Sequence, residues 1–305
     1  MASTRRVIEG FSTDRVTTEE LQHKLVTRLR SDSYEPPKLP SVALQLMSLS
    51  RNPEATLAEV VDLLQQDQLL TGQVIKLANA VAFRGSTRIS SLRDAVVRLG
   101  ISNLRNLVLR VAMDMRVFRS QGYSEIMDAL RRHSLATAHV ARVLANGHEW
   151  AFLAGLLHDV GIAGCLLVLG DTPRAAERPD VTKVWPAIEA VHERASTRMV
   201  ELWGVPADIV EAIKDHHHVE GSFKQSRLRA TICLADAIAS ECGYRVRPKA
   251  PNHPLQTRHR VDSTAPETLV SAREALQIDD DMYHLVVKRV TGELSQMIED
   301  GSPPG

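Results

Sequence analysis

Eight of the twelve histidines in this 305-residue sequence fall between His133 and His218, and several stand close to aspartates. Imidazole nitrogens and carboxylate oxygens do acid–base work and bind metals, so their placement decides what chemistry is open to the chain. No HExxH segment occurs, and the spacing is not that of a zinc finger. Helical register is what groups them. His133 repeats with Ala136, Thr137, Val140, Ala141 and Leu144. His158 repeats with Ala154, Leu157 and Gly161. His192 lies in the stripe Ile188, Val191, Ala195, Met199, Leu202, and Asp236 shares a face with Cys233, Ala237 and Ser240.

Four helices thus each turn a metal-capable side chain toward an apolar face. Any one alone reads as a hydrogen-bonded core polar group. A buried carboxylate is costly unless it is paired or coordinates a metal, so several histidines converging with Asp159 and Asp236 would share one explanation. Oxygen and imidazole donors without thiolates suit Fe, Mn, Zn or Mg, as one or two ions. The three cysteines (Cys165, Cys233, Cys242) form no CxxC pair and read as small buried hydrophobes.

The elements that must position these groups are helices. Apolar residues recur with period 3.6 and no run alternates over six residues, which predicts an all-α chain. Capping boxes at Thr17-Thr-Glu-Glu20 and Thr56-Leu-Ala-Glu59 open helices, and Ser91-Leu-Arg-Asp94 starts a short one that Gly100 ends. The register of Leu104, Leu107, Val108, Val111, Met115 and Phe118 continues as another. Later patterns predict helices near 125–146, 149–160, 185–203, 206–217 and 226–241. Arg245 to Ala265 has no periodicity and reads as a loop or disordered insertion. Thr264-Ala-Pro-Glu267 caps and restarts helix, and Met282 to Ile298 forms another.

Apolar types make up 44% and charged types 24%, which excludes a disordered or collagen-like chain. Lys+Arg and Asp+Glu both total 37, which argues against a whole-chain nucleic-acid or membrane footprint. No apolar run follows Met1-Ala-Ser-Thr-Arg-Arg6, and the longest apolar stretch, Val160 to Gly170, is far short of the roughly 20 residues of a membrane span. A cytoplasmic protein without a membrane partner is expected.

Gly155-Leu-Leu-His-Asp-Val-Gly161 resembles the hallmark of the HD superfamily of metal-dependent phosphohydrolases, whose metal is held by His…His-Asp…Asp. That resemblance implies His133, His158, Asp159 and Asp236 as one ligand set, with His192, His216 and His217 for a second metal and Asp159 as the bridge and the catalytic candidate. The flanks are similar to the HDOD branch. Leu39-Pro-Ser-Val42, Asp67-Gln-Leu-Leu-Thr71, Val74-Ile-Lys-Leu-Ala-Asn79 and Ile89 to Gly100 match its N-terminal signatures, and Trp203-Gly-Val-Pro206 and Ile213-Lys-Asp-His-His217 its later ones. The implied layout is a helical bundle over 36–241, an N-terminal extension over 1–35, an insertion over 242–265 and C-terminal helices over 266–305.

The resemblance implies a bacterial signalling or regulatory module, non-catalytic or weakly catalytic, that binds a nucleotide ligand or a signalling protein partner, with the metal site retained. A working phosphohydrolase or phosphodiesterase is the alternative. This chain keeps every ligand position, unlike many members. It lacks the Gly-Tyr-Pro motif of the branch that cleaves cyclic dinucleotides, reading His218-Val-Glu-Gly-Ser222 instead. Ile162 stands where hydrolytic relatives commonly place a lysine.

Residues 84–119 hold eight arginines against two aspartates. The plain reading is a solvated helix face. The functional one is an anion patch centred on Arg98, Arg105, Arg110 and Arg116, since guanidinium forks match phosphate. No aromatic residues interleave, so a nucleic-acid partner is not expected. Trp150, Trp185 and Trp203 read as core or helix-end packing.

Overall fold

The computed structural model describes residues 17–82, 89–119, 122–170, 179–218, 226–248 and 264–299. Within them every regular element is a helix: α1 (Thr18–Arg30), α2 (Ser41–Leu49), α3 (Leu57–Gln65), α4 (Gln68–Ala82), α5 (Leu92–Arg116), α6 (Ser124–Leu144), α7 (Ala151–Leu157), α8 (Val160–Gly170), α9 (Val181–Leu202), α10 (Ala207–Ile213), α11 (Arg227–Glu241), α12 (Pro266–Leu276) and α13 (Asp280–Glu299). The first three hydroxyl–carboxylate signals are complete capping boxes, with Thr17 bonded reciprocally to Glu20, Thr56 to Glu59 and Ser91 to Asp94. Gly100 breaks α5 at φ 75°, a left-handed conformation that glycine enters without strain.

Helices α2 to α5 pack together as the N-terminal part of the bundle. The second part centres on α6, α7 and α11, with α8 and α9 paired beside them and α10 closing against α7, α9 and α11. The expected extensions join the same core. Leu21, Leu25 and Leu29 of α1 bury against α9 and α8, while α12 packs on α11 and α13 on α6. Trp203, at the end of α9, donates its indole N–H to the Pro37 carbonyl at 3.0 Å, which ties the late signature to the early one.

The pattern over 149–160 predicts one helix, but the chain leaves α7 at Leu157, turns through His158-Asp159 and enters α8 at Val160. Together Ala151–Gly170 are long and apolar enough to cross a membrane, but 89% of that stretch is buried inside the fold, as a core segment must be. Two glycines let the helices close in. A Cβ on Gly155 would come within 2.7 Å of the Ala138 Cα on α6. A Cβ on Gly161 would come within 2.2 Å of the His192 carbonyl oxygen on α9.

The arginine run does not form one face. Arg105 is fully buried: its guanidinium lies 4.1 Å from the Trp150 ring centroid and donates to the Glu149 carbonyl at 2.7 Å and to Ser50 Oγ at 3.2 Å. It ties α5 to α2 and the start of α7 and is removed from the anion-patch reading. Arg110 is buried too, while Arg93, Arg98, Arg116 and Arg119 are exposed. Arg84 and Arg88 lie outside the described residues, as does most of the expected insertion, 249–263.

Candidate metal centre

Seven side chains from five places in the fold meet in the core. His133 comes from the middle of α6, His158 and Asp159 from the turn between α7 and α8, His192 from α9 and Asp236 from α11. His216 and His217 follow α10, where Asp215 takes a left-handed φ of 51° and His218 N–H closes the turn on the Asp215 carbonyl at 3.0 Å. Aspartate tolerates this conformation better than most residues. The expected helix over 206–217 therefore stops at Ile213, and that stop aims two adjacent imidazoles into the site. All seven residues are buried, none more than 8% exposed.

The imidazoles are oriented by a repeated device. The Nδ1–H groups of His158, His192 and His216 face the carbonyls three residues earlier, those of Gly155, Glu189 and Ile213, at 2.9, 2.5 and 2.8 Å. His133 Nδ1 faces the Tyr244 carbonyl at 2.8 Å, and His217 Nδ1 faces Thr264 Oγ1 at 2.7 Å. A second hydrogen-bond partner of this kind fixes the tautomer and leaves Nε2 as the donor atom toward a metal.

The Nε2 atoms then crowd one another. His133 and His158 bring theirs to 3.2 Å, and His192 and His217 do the same at 3.2 Å. His216 Nε2 and Asp159 Oδ1, 3.6 Å apart, are buried and have no hydrogen-bond partner. Two buried acceptor atoms without a donor suit a cation between them. The residues fit a metal.

Asp159 sits between two groups of ligands. Its Oδ2 lies 3.5 Å from His133 Nε2 and 3.4 Å from His158 Nε2, while its Oδ1 faces His192 Nε2 at 3.4 Å. Asp236 Oδ1 lies 3.2 Å from His133 Nε2 and Oδ2 lies 3.6 Å from His217 Nδ1. Donor atoms of His133, His158 and Asp236 lie within 4.8 Å of one another, and so do those of Asp159, His192, His216 and His217. Asp159 thus faces both groups of donors. Electrostatics agree. Burial alone would raise both carboxyls, but the imidazoles facing them hold Asp159 and Asp236 well below the usual range. Burial opposes charge on His133, but Asp159 and Asp236 outweigh it and push that imidazole up to about 10. Burial and neighbouring imidazoles push His216 and His217 down, which keeps their lone pairs available.

The family profile of the HDOD domain matches residues 37–219. The chain belongs to the HDOD family. An HDOD domain protein of unknown function from Geobacter sulfurreducens has a similar structure, with a TM-score of 0.65 and 25% identity over 92% of this chain and 98% of that one. A Shewanella amazonensis SB2B protein, provisionally named a metal-dependent phosphohydrolase, shares the fold at a TM-score of 0.58 and 18% identity, covering 90% of this chain and 99% of that one. An uncharacterized protein of Treponema pallidum (strain Nichols) is 26% identical over 274 residues, 83% of this chain and 53% of that protein. The chain thus spans about half the length of that relative.

Around the HDOD ligand positions stand residues that sequence patterns do not single out. Glu193 accepts from the His217 backbone N–H at 2.8 Å and lies 3.7 Å from His216 Nδ1. Its neighbour His192 is the only signal in the sequence. Thr264, read as a helix cap, is not one: α12 is capped from Ala265 without a side-chain bond, and the Thr264 hydroxyl serves His217 instead. Trp185 packs in the core as expected and also borders the site. Among the described residues the centre opens on a cavity of 60 Å³, with Ile162 in its wall and Arg245 and Arg247 among its lining. The segment read as an insertion therefore contributes to the site through the Tyr244 carbonyl and through Arg245 and Arg247 in the cavity lining.

Proposed function

We propose that this chain is a regulatory HDOD module that holds a dinuclear metal centre and signals by binding a nucleotide ligand or a protein partner, without turning over cyclic dinucleotides. One observation carries this reading: a full set of buried ligands opens on a cavity of only 60 Å³. Small-molecule sites usually measure some 300–1,000 Å³, so the space suits ions with water rather than a dinucleotide. Ile162 supports it, since an apolar side chain lines the wall where a lysine could hold a phosphate.

A metal-dependent phosphohydrolase acting on a smaller phosphate ester is the second reading. Asp159, placed between two groups of donors, and the presence of Arg245 and Arg247 in the cavity lining favour it. Divalent ions held there would supply Lewis acidity. The chain's own part would be to orient them through Asp159 and to hold the phosphate with the two arginines.

The experiment has two steps. Elemental analysis of protein purified without chelator is expected to give one or two equivalents of Fe, Mn or Zn. Asp159→Ala is expected to carry none while keeping its helical circular dichroism. Metal retained by that variant overturns the ligand assignment. The loaded wild type is then incubated with cyclic dinucleotides and simple phosphomonoesters under reducing conditions and chromatographed, with no turnover expected. Turnover that vanishes in both His158→Ala and Asp236→Ala replaces the regulatory reading with the hydrolytic one.

A further inference from the structure

A wider concavity than that of the metal centre lies elsewhere among the described residues. A cavity of 670 Å³ opens between α4, α5 and α6, and its cationic lining comes from all three: Lys76 on α4, Arg110 and Arg116 on α5 with Arg119 just beyond, and Arg131 on α6. These residues are scattered over 56 positions of sequence, from 76 to 131, and only the fold gathers them. One carboxylate, Asp114, faces the five cations in the lining. A second, Asp128, engages Arg131 at 3.1 Å and Arg132 as well, without lining the cavity.

Charge of one sign collected in a concave, partly dry wall is costly unless an anion shares it. Arg110 is 3% exposed. Burial lowers its pKa, Asp114 opposes that fall and Arg131 adds to it. Burial likewise raises the Asp114 carboxyl against the pull of Arg110, Arg131 and Arg119. The wall is not purely polar. Leu69, 61% exposed, with Leu77, Val111 and Met115 supplies an apolar surface beside the guanidinium groups. A volume in the usual range for small-molecule sites, several guanidinium forks and an apolar strip match one ligand chemistry: a phosphate chain joined to a flat, weakly polar body.

We propose that this cavity is a binding site for a nucleotide carrying two or more phosphate charges. Its phosphates lie against Arg116, Arg119 and Lys76, and its base lies on Leu69 and Met115. The site is separate from the metal centre. Arg131 and His133 stand two residues apart on α6, some 200° around the helix, so the nucleotide touches the face opposite the one that carries the ligand. The proposal does not rest on the metal-centre reading.

The test is equilibrium dialysis of ATP, GTP and cyclic di-guanylate against the full chain as purified, with wild type, Arg116→Glu/Arg119→Glu and Asp159→Ala in parallel. Arg116 and Arg119 are exposed, so reversing them leaves the core intact. At least one of the three nucleotides is expected to bind saturably, more weakly as salt is raised. The double variant is expected to lose about tenfold or more in affinity, which is about 1.4 kcal/mol or more. Asp159→Ala is expected to bind as wild type does. Absence of saturable binding to all three overturns the proposal, and so does unchanged binding by the double variant. Binding lost in Asp159→Ala but kept in the double variant places the nucleotide at the metal centre and overturns it as well.

Discussion

Gly161 donates its backbone N–H to the Ser196 hydroxyl oxygen at 2.8 Å, which pins the start of α8 to α9 four residues beyond His192. Asp159 precedes Gly161 by two residues. The contact therefore sets how far one ligand stands from another, and the second glycine of Gly155-Leu-Leu-His-Asp-Val-Gly161 is a spacer rather than a participant in chemistry.

Gly161→Ala tests the spacer. The added Cβ would meet the His192 carbonyl at 2.2 Å and the Ser196 nitrogen at 2.3 Å, both backbone atoms that cannot rotate away. Relief requires α8 and α9 to separate, which also moves Asp159 away from His192. Overpacking a tight core costs about 1–3 kcal/mol, and this case belongs at the upper end or beyond. The expected result is a lowered denaturation midpoint together with lost metal content. Ser196→Ala leaves the Gly161 N–H without an acceptor and is expected to cost about 1–3 kcal/mol by the same measurement, with metal uptake weakened less.

Much of the site could be read in the sequence because helical register fixes which way a side chain points. His133 and His192 repeat with aliphatic residues and Asp236 with Cys233 and Ala237, and all three are buried. What register does not encode is contact across long separations. Thr264 reaches His217 across 47 positions, and the partner of His133 is a backbone carbonyl, which has no residue signature at all. The arginine run misleads for a related reason. Charge density suggests a wet face, but Arg105 directly follows Leu104 and precedes Leu109 by one turn, and that register buries it.

Arg105 therefore behaves as a core residue. Arg105→Ala removes a stacked guanidinium from Trp150 and leaves the Glu149 carbonyl and Ser50 short of a donor. Loss of packing with a buried charged hydrogen bond is expected to lower stability by about 2–4 kcal/mol. Arg98→Ala, on the exposed face of the same helix, is expected to change it by less than about 0.5 kcal/mol. Urea denaturation of the two variants decides between a structural and a surface role, and equal effects would refute the core assignment.

The last prediction concerns pH and a histidine away from the ligand set. His139 on α6 is buried, with Nε2 2.7 Å from Glu293 Oε2 on α13. Burial lowers its pKa most, Glu293 opposes that, and Arg142 and Arg289 both lower it further. The net shift is downward, so the folded protein resists a proton that the unfolded chain accepts near pH 6.5. The contribution of a neutral His139 to stability is thus complete above about pH 6.5 and is lost as pH falls through the lower folded value. Wild type is expected to lose stability across that interval, and His139→Gln, which has no proton to gain there, is expected to lose less. The comparison is made on metal-free protein by urea midpoints from pH 7.5 downward, so that differences between the two chains isolate His139 from the imidazoles of the centre. Parallel curves for the two proteins would show that His139 titrates as it does in the unfolded chain.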